Sequence, residues 1–174
     1  MRRFGILALA LALCGASACD DDSPTSPTGS GPIVFTVDLA ASNEVPAVSN
    51  AESGATGRAT ITFSVPRDSS GNITGGGTWN VQAVVSGLIA DSRIQAAHIH
   101  NGPAGQVAGI FVNTGLTPAN AIPVNVSGTI NFEGVAISQS QAEAVVANPA
   151  GHYFNMHSPL NPGGVMRGQM VRLQ

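Results

Sequence analysis

The sequence predicts an all-β fold, an antiparallel β-sandwich or barrel of about eight strands with one short helix. Three observations predict it. Short segments alternate apolar and polar residues with a period of two, turn residues separate these segments at short spacing, and no strand–helix–strand alternation occurs. The expected architecture is immunoglobulin-like or superoxide-dismutase-like.

The first half of the domain contains three clear strand patterns. Apolar side chains occupy every second position in residues 33–39, 58–65 and 78–86. Loops rich in Pro, Gly, Asp and Asn separate these segments at residues 43–53 and 66–77. We therefore expect three half-buried strands.

The second half continues the pattern with five further segments. Residues 93–100 are expected to form a strand, and residues 126–133 alternate again. Residues 107–113 are a nearly continuous apolar run, which is typical of a strand covered on both faces. Residues 153–157 and 165–173 are expected to form a final hairpin around a loop rich in Pro and Gly.

One helix is predicted between the last alternating segments. Ser138 and Gln141 form a capping-box pattern, which satisfies free backbone N–H groups at a helix start. Ala142, Val145 and Val146 form a short apolar stripe, and the Asn-Pro-Ala-Gly sequence at 148–151 ends it.

The N-terminal residues have the features of an export signal. Residues 1–18 contain two arginines and then an apolar run too short to span a bilayer, which predicts a signal peptide. Small residues precede Cys19, so we expect cleavage there and lipidation of Cys19, although Ala16 stands where such sites usually have Leu. Residues 19–32 are then a flexible tether. The predicted location is the bacterial cell envelope, anchored by lipid in the periplasm or at the cell surface. The alternative is secretion after the Ala-Ser-Ala triplet.

Charge and cysteine content limit the partners of the remaining domain, residues 33–174. The chain has no lysine, and from Cys19 onward five arginines face ten acidic residues. No basic patch supports nucleic-acid binding, so we exclude that partner. The only cysteines are Cys14 and Cys19, so the folded domain has no disulfide and depends on its core.

Two polar motifs stand out from this scaffold. His98 and His100 lie two positions apart, so on a strand both imidazoles point to the same face. His157 ends a second motif, Tyr-Phe-Asn-Met-His, which follows His152. The pattern does not settle whether the face of His98 and His100 meets the face of His157.

Both motifs, with the residues around them, resemble the CHRD domain, the repeat first named in the animal protein chordin and widespread in bacterial secreted proteins. The motifs are Ala-His-Ile-His-Asn-Gly-Pro-Ala-Gly at 97–105, Tyr-Phe-Asn-Met-His at 153–157, Asn-Pro-Gly-Gly-Val-Met-Arg-Gly-Gln at 161–169, and Asn-Glu-Val-Pro at 43–46. Val165 stands where the family usually has Glu. The resemblance implies an exported all-β domain and little about activity.

The histidines have two interpretations. In the first interpretation they form a metal site, in which His98, His100 and His157 each supply one nitrogen. Copper is then favoured over zinc. The His-x-His strand is also similar to that of copper-zinc superoxide dismutases, but a zinc constellation is missing. Alternatively they are structural and bond to loop carbonyls. His152 is out of phase with His157, and Met156 and Met166 are expected to pack in the core.

Asn155, Arg167 and Gln169 are further candidate binding residues. Arg167 either clamps an anion beside the histidines or pairs with an acid such as Glu44. No nucleophile–base pattern predicts a catalytic residue, so a non-enzymatic binding module with a protein or glycan partner is the favoured function. A copper-binding envelope protein, for storage or delivery, is the alternative, and a dismutase-type redox enzyme ranks last.

Overall fold

The computed structural model describes residues 31–173, which form a mostly β domain. Its strands are β1 (Ile33–Ala40), β2 (Thr56–Ser64), β3 (Gly77–Ser86), β4 (Arg93–Ile94), β5 (Ala96–Asn101), β6 (Ile110–Asn113), β7 (Ile122–Pro123), β8 (Ser127–Ile137), β9 (His152–His157), β10 (Met166–Gln169) and β11 (Val171–Arg172). One α-helix, α1 (Gln139–Ala147), lies between β8 and β9. The predicted signal peptide, Cys19 and most of the tether lie outside the described residues.

Nine strands form one antiparallel sheet in the order β6-β5-β9-β10-β1-β2-β3-β8, with β11 pairing beside β10 on β1. The sheet curves until it is nearly closed into a barrel, which confirms the predicted fold class. β4 and β7 pair separately as a small second sheet.

A single hydrophobic core fills the inside of the curved sheet. The alternating residues predicted from the sequence supply it, including Phe35, Phe63 and Trp79, none of which is exposed. Trp79 on β3 meets Phe154 on β9 edge to face, with ring centroids 6.2 Å apart. Because three strands separate β3 from β9 in the sheet order, this contact joins two distant parts of the curved sheet across the core.

The helix forms as predicted. The Ser138 hydroxyl accepts from the backbone N–H of Gln141, and the Gln141 side chain accepts from the backbone N–H of Ser138. Ala142 and Val145 are buried. The Gln141 amide also donates to the Phe111 carbonyl at 2.7 Å, which attaches α1 to β6 at the edge of the sheet.

Two predicted strands differ from the structure. The expected strand 93–100 is divided at Gln95, because Arg93–Ile94 pairs with β7 while Ala96–Asn101 joins the main sheet. The prediction that 107–113 is a strand covered on both faces is wrong. Only Ile110–Asn113 is a strand, it lies at the sheet edge, and Val107 is 71% exposed.

Strand β9 is buried on both faces, and this positions the polar motifs. Phe154 and Met156 point into the hydrophobic core. Tyr153, Asn155 and His157 alternate with them and lie on the outer face, where they are nonetheless at most 8% exposed. Loops therefore cover this part of the outer face, and a second, polar layer forms beneath them.

Within residues 31–173, no helix is long and apolar enough to cross a membrane.

Candidate functional site

Strand register joins the two histidine motifs on one face. In the β5–β9 pair, Ala96 is opposite His157, His98 is opposite Asn155, and His100 is opposite Tyr153. Directly opposed residues in antiparallel strands point to the same side of the sheet. The question that the sequence left open is thus answered, because the faces of the two motifs are one continuous surface.

Three histidines converge on this surface. One ring nitrogen each of His98, His100 and His157 lies within 4.8 Å of the other two. His98 Nδ1 and His157 Nε2 are 3.2 Å apart. All three side chains are buried, with exposures of 7%, 7% and 8%.

The neighbouring carbonyls fix the protonation of two rings. His100 Nδ1 lies 2.9 Å from the Ala108 carbonyl, and His157 Nδ1 lies 3.0 Å from the Pro162 carbonyl. A carbonyl only accepts, so both Nδ1 atoms carry the proton and both Nε2 atoms present a lone pair. His98 Nδ1 therefore donates to His157 Nε2, whereas His100 Nε2 is buried without a partner.

Burial keeps the cluster neutral. Desolvation lowers the pKa of His98 to about 4, and the neighbouring charges that His157 and His100 would carry lower it further. Desolvation also lowers the pKa values of His100 and His157, although their carbonyl partners act in the opposite direction. Neutral imidazole is the form that binds metal ions.

The geometry suits one metal ion. In a tetrahedral zinc site two nitrogens bound at 2.0–2.1 Å lie about 3.3–3.4 Å apart, and at the right angle of a square-planar Cu²⁺ site they lie about 2.8–3.0 Å apart. The 3.2 Å between His98 Nδ1 and His157 Nε2 lies between these two separations. Metal-ligating histidines usually donate their other ring N–H to a carbonyl or carboxylate, as His100 and His157 do here. His98 would bind through Nδ1 after its proton moves to Nε2.

Arg167 lies on β10, the strand next to β9, and points to the same face of the sheet as the histidines. It is opposite Asn155 in the β10–β9 pair and is 3% exposed. Its Nε donates to the Asn43 carbonyl at 2.7 Å and its Nη1 to the Gln106 carbonyl at 2.8 Å. Its guanidinium lies 4.5 Å from the centroid of the Tyr153 ring. Arg167 thus holds together the two loops that cover the site.

Tyr153 separates Arg167 from the histidines. Its ring stacks on the His100 ring with centroids 4.6 Å apart and planes 4° from parallel. Its hydroxyl accepts from the backbone N–H of Ala108, the residue whose carbonyl holds His100. The sequence analysis did not single out Tyr153, and its position opposite His100 depends on a strand pairing that the sequence pattern does not reveal.

Glu44 lies beside this layer but forms no ion pair with Arg167 among the described residues. Desolvation raises the pKa of Glu44 to about 7, and the Arg167 charge opposes that rise. One oxygen, Oε1, is buried without a hydrogen-bond partner, as is Arg167 Nη2. A groove of about 520 Å³ lined by both residues opens next to them.

The remaining candidates are placed as follows. The Gln169 amide donates to the carbonyls of Gly102, Ala150 and His152, so it supports a covering loop. His152 lies on the core side of β9 and bonds to the Asn148 carbonyl, outside the histidine cluster. Both Met156 and Met166 are fully buried in the hydrophobic core.

A buried carboxylate beneath the site was missed by the sequence analysis. Glu52 is 0% exposed and accepts from three neutral donors: Ser92 Oγ at 2.8 Å, Asn161 Nδ2 at 2.7 Å, and Ser158 Oγ. Ser158 and Asn161 belong to the loop whose Pro162 carbonyl holds His157. A single Glu in a polar loop gives no pattern from which this role could be predicted.

The fold and the site together define an all-β domain with a loop-covered polar site on the outside of its sheet. The model of the CHRD domain matches residues 35–170, so the chain belongs to the CHRD domain family. This family implies an extracellular-type binding module. No curated protein and no solved structure gives a significant match to the chain.

Proposed function

We propose that this CHRD domain is an exported, lipid-anchored binding module that holds one metal ion, favouring copper, at His98, His100 and His157. The observation that carries the proposal is the convergence of three buried imidazoles whose ligand nitrogens lie within 4.8 Å of one another. Copper is favoured because imidazole nitrogens bind Cu²⁺ more strongly than the other divalent first-row metals.

The apo arrangement supports a binding role over a purely structural one. A buried ring nitrogen without a partner costs stability unless a ligand satisfies it. His100 Nε2 and His152 Nε2 are both such atoms, and of the two only His100 lies in the cluster with His98 and His157. A metal ion would satisfy this lone pair and that of His157 Nε2 together.

Metal titration tests the proposal. The full chain is saturated with Cu²⁺ or with Zn²⁺, desalted, and analysed for metal per chain. We expect about one retained copper ion and weaker zinc binding. Alanine at His98, His100 or His157 should each reduce copper affinity at least ~100-fold, since loss of a mere supporting group costs ~10–100-fold.

His152→Gln is the matched control, because His152 is a buried histidine on the same strand but on its opposite face. It should retain the metal. Absence of retained metal in the wild-type chain, or equal loss in His152→Gln, would show that the cluster is structural. The search for a ligand would then move to a protein or glycan partner in the groove beside Glu44 and Arg167.

The lipid anchor is the second part of the proposal. It is supported by the apolar N-terminal run and the small residues before Cys19. Metabolic labelling with a fatty acid should label the wild-type chain in the membrane fraction, and Cys19→Ala should abolish the label. Cys14→Ala is the control and should remain labelled, because Cys14 lies within the predicted signal peptide. Unlabelled wild-type protein in the medium would instead favour secretion.

A further inference from the structure

One buried acceptor of the site has no partner. Asn155 is 3% exposed, and its Oδ1 makes no hydrogen bond. A buried polar atom without a partner calls for an explanation, and an ordered water or ion is one of those available. Asn155 is neither a loop anchor nor one of the three converging histidines, so its oxygen needs another explanation.

The register places Asn155 against the centre of the histidine cluster. It lies directly opposite His98, between His157 and Tyr153 on β9. His98 faces His157 through Nδ1, the ring nitrogen nearer to its own backbone. Asn155 and the three histidines therefore lie on one face of the β5–β9 pair, with Asn155 beside His98 and next but one to His157 on its own strand.

The orientation of the Asn155 amide is set from its other side. A Cβ atom placed on Gly164 would lie 2.8 Å from Asn155 Nδ2 and 2.6 and 2.7 Å from the two carboxylate oxygens of Glu44. The NH2 group of Asn155 and the Glu44 carboxylate thus border the same space, which only glycine leaves free. An ionised Glu44 carboxylate only accepts, so it favours the donor end of the amide on its side and Oδ1 directed away from it.

We propose that Asn155 Oδ1 accepts a hydrogen bond from a water molecule that is the fourth ligand of the metal ion held by His98, His100 and His157. This inference depends on the proposed metal site. Three protein ligands leave one position of a four-coordinate ion open to an exogenous ligand. Asn155 then makes the site selective for ligands that carry a proton on the ligating atom, such as water, over aprotic anions such as azide.

Azide binding to the copper-loaded full chain measures this selectivity. In the wild-type site azide displaces the water and leaves Asn155 Oδ1 without a hydrogen bond. In Asn155→Leu the acceptor is absent, so azide binding does not carry this cost. Azide affinity, read from the azide-to-copper charge-transfer band, should therefore rise about tenfold in Asn155→Leu. Copper per chain is measured in both samples, and the azide affinities are compared at full copper loading.

Asn113→Leu is the matched control. Asn113 is opposite His98 on the other neighbouring strand, but it is exposed and its Oδ1 already accepts from the Gly115 N–H at 2.9 Å. Its azide affinity should equal that of the wild type. Equal azide affinity in the wild type and in a copper-loaded Asn155→Leu would overturn the inference and leave the metal site standing.

A measurement on the wild type covers the case in which Asn155→Leu fails to fold. Electron nuclear double resonance of the Cu²⁺ site in H2O and in D2O should show strongly coupled exchangeable protons from the bound water. Their absence in a chain that retains one copper ion would overturn the inference. A wild-type chain that retains no copper would instead overturn the proposed function itself.

Discussion

Replacing Glu52 with alanine should lower the free energy of unfolding by about 3–4 kcal/mol. The substitution leaves three donors without their acceptor inside the protein, and each unsatisfied buried group costs about 1–3 kcal/mol before relaxation. Two of these donors, Ser92 and Ser158, are at most 5% exposed, so water does not readily replace the carboxylate. The effect is large because one side chain joins three loops.

The substitution should also weaken metal binding at the proposed histidine site. Glu52 accepts from Ser158 and Asn161 in the loop that carries the Pro162 carbonyl. That carbonyl holds the proton of His157 on Nδ1 and so keeps Nε2 free as a ligand. We therefore expect weaker copper binding in Glu52→Ala at temperatures where the domain is still folded.

Urea unfolding followed by Trp79 fluorescence measures the stability change. Glu133→Ala is the control, because Glu133 is exposed, and it should change stability by less than about 0.5 kcal/mol. Glu52→Gln keeps the side-chain volume and one acceptor oxygen. Its free energy of unfolding should lie between those of Glu52→Ala and Glu133→Ala. A Glu52→Ala midpoint equal to that of Glu133→Ala would show that the loops are held by other contacts.

Acidification of the metal-free domain from pH 7 to pH 4.5 should remove about 2 kcal/mol of stability through the histidine cluster. In the unfolded chain a histidine takes up a proton near its ordinary pKa of 6.5, whereas in the folded domain the pKa of His98 is about 4. Between these values the unfolded state binds more protons, so stability is complete above pH 6.5 and is lost as the pH falls towards 4. His100 and His157, whose pKa values are also lowered, act in the same direction.

Glu44 opposes this trend in the same pH range. Its pKa of about 7 in the folded domain lies above the ordinary value of 4.5, so the folded state binds the proton first. Protonation of Glu44 therefore stabilises the domain by about 2 kcal/mol as the pH falls from 7 to 4.5, which offsets most of the contribution of His98. In Glu44→Gln this compensation is absent, and the acid-induced loss of stability should be larger than in the wild type.

Urea unfolding at both pH values, with a chelator present, separates these contributions. His98→Gln should lose less stability on acidification than the wild type, because one buried titrating ring is gone. His152→Gln should retain the wild-type dependence, since His152 lies outside the cluster. An unchanged pH dependence in His98→Gln would contradict the linkage of acid stability to the histidines.

The fold was predictable because its core strands each bury one face. Alternation in β1, β2 and β3 places Phe35, Ile61 and Trp79 inside, and the structure has them fully buried. The same reasoning failed for residues 107–113. That apolar run includes Val107 and Ile110, which are exposed in a covering loop and on an edge strand, and apolar composition alone does not distinguish exposed from buried.

The sequence allowed the histidines of the candidate site to be identified, but it did not show which strands bring them together. His-x-His on a strand places both rings on one face, and this is a local property. The contact with His157 depends on pairing between β5 and β9, which are separated by α1 and several strands in the chain. Hydrophobic periodicity does not specify such pairing, so Tyr153 and Asn155 could not be assigned their places opposite His100 and His98.

Because β9 is buried on both faces, neighbouring residues of this strand meet different structural requirements. Phe154 and Met156 are constrained by the volume of the interior, whereas Asn155 and His157 belong to the polar layer on the outer face. Because adjacent residues point to opposite sides, a change at one kind of position need not disturb the other. The same barrel can therefore be given a new ligand preference by exchanging outer-face residues and covering loops, which makes this strand a natural starting point for redesign.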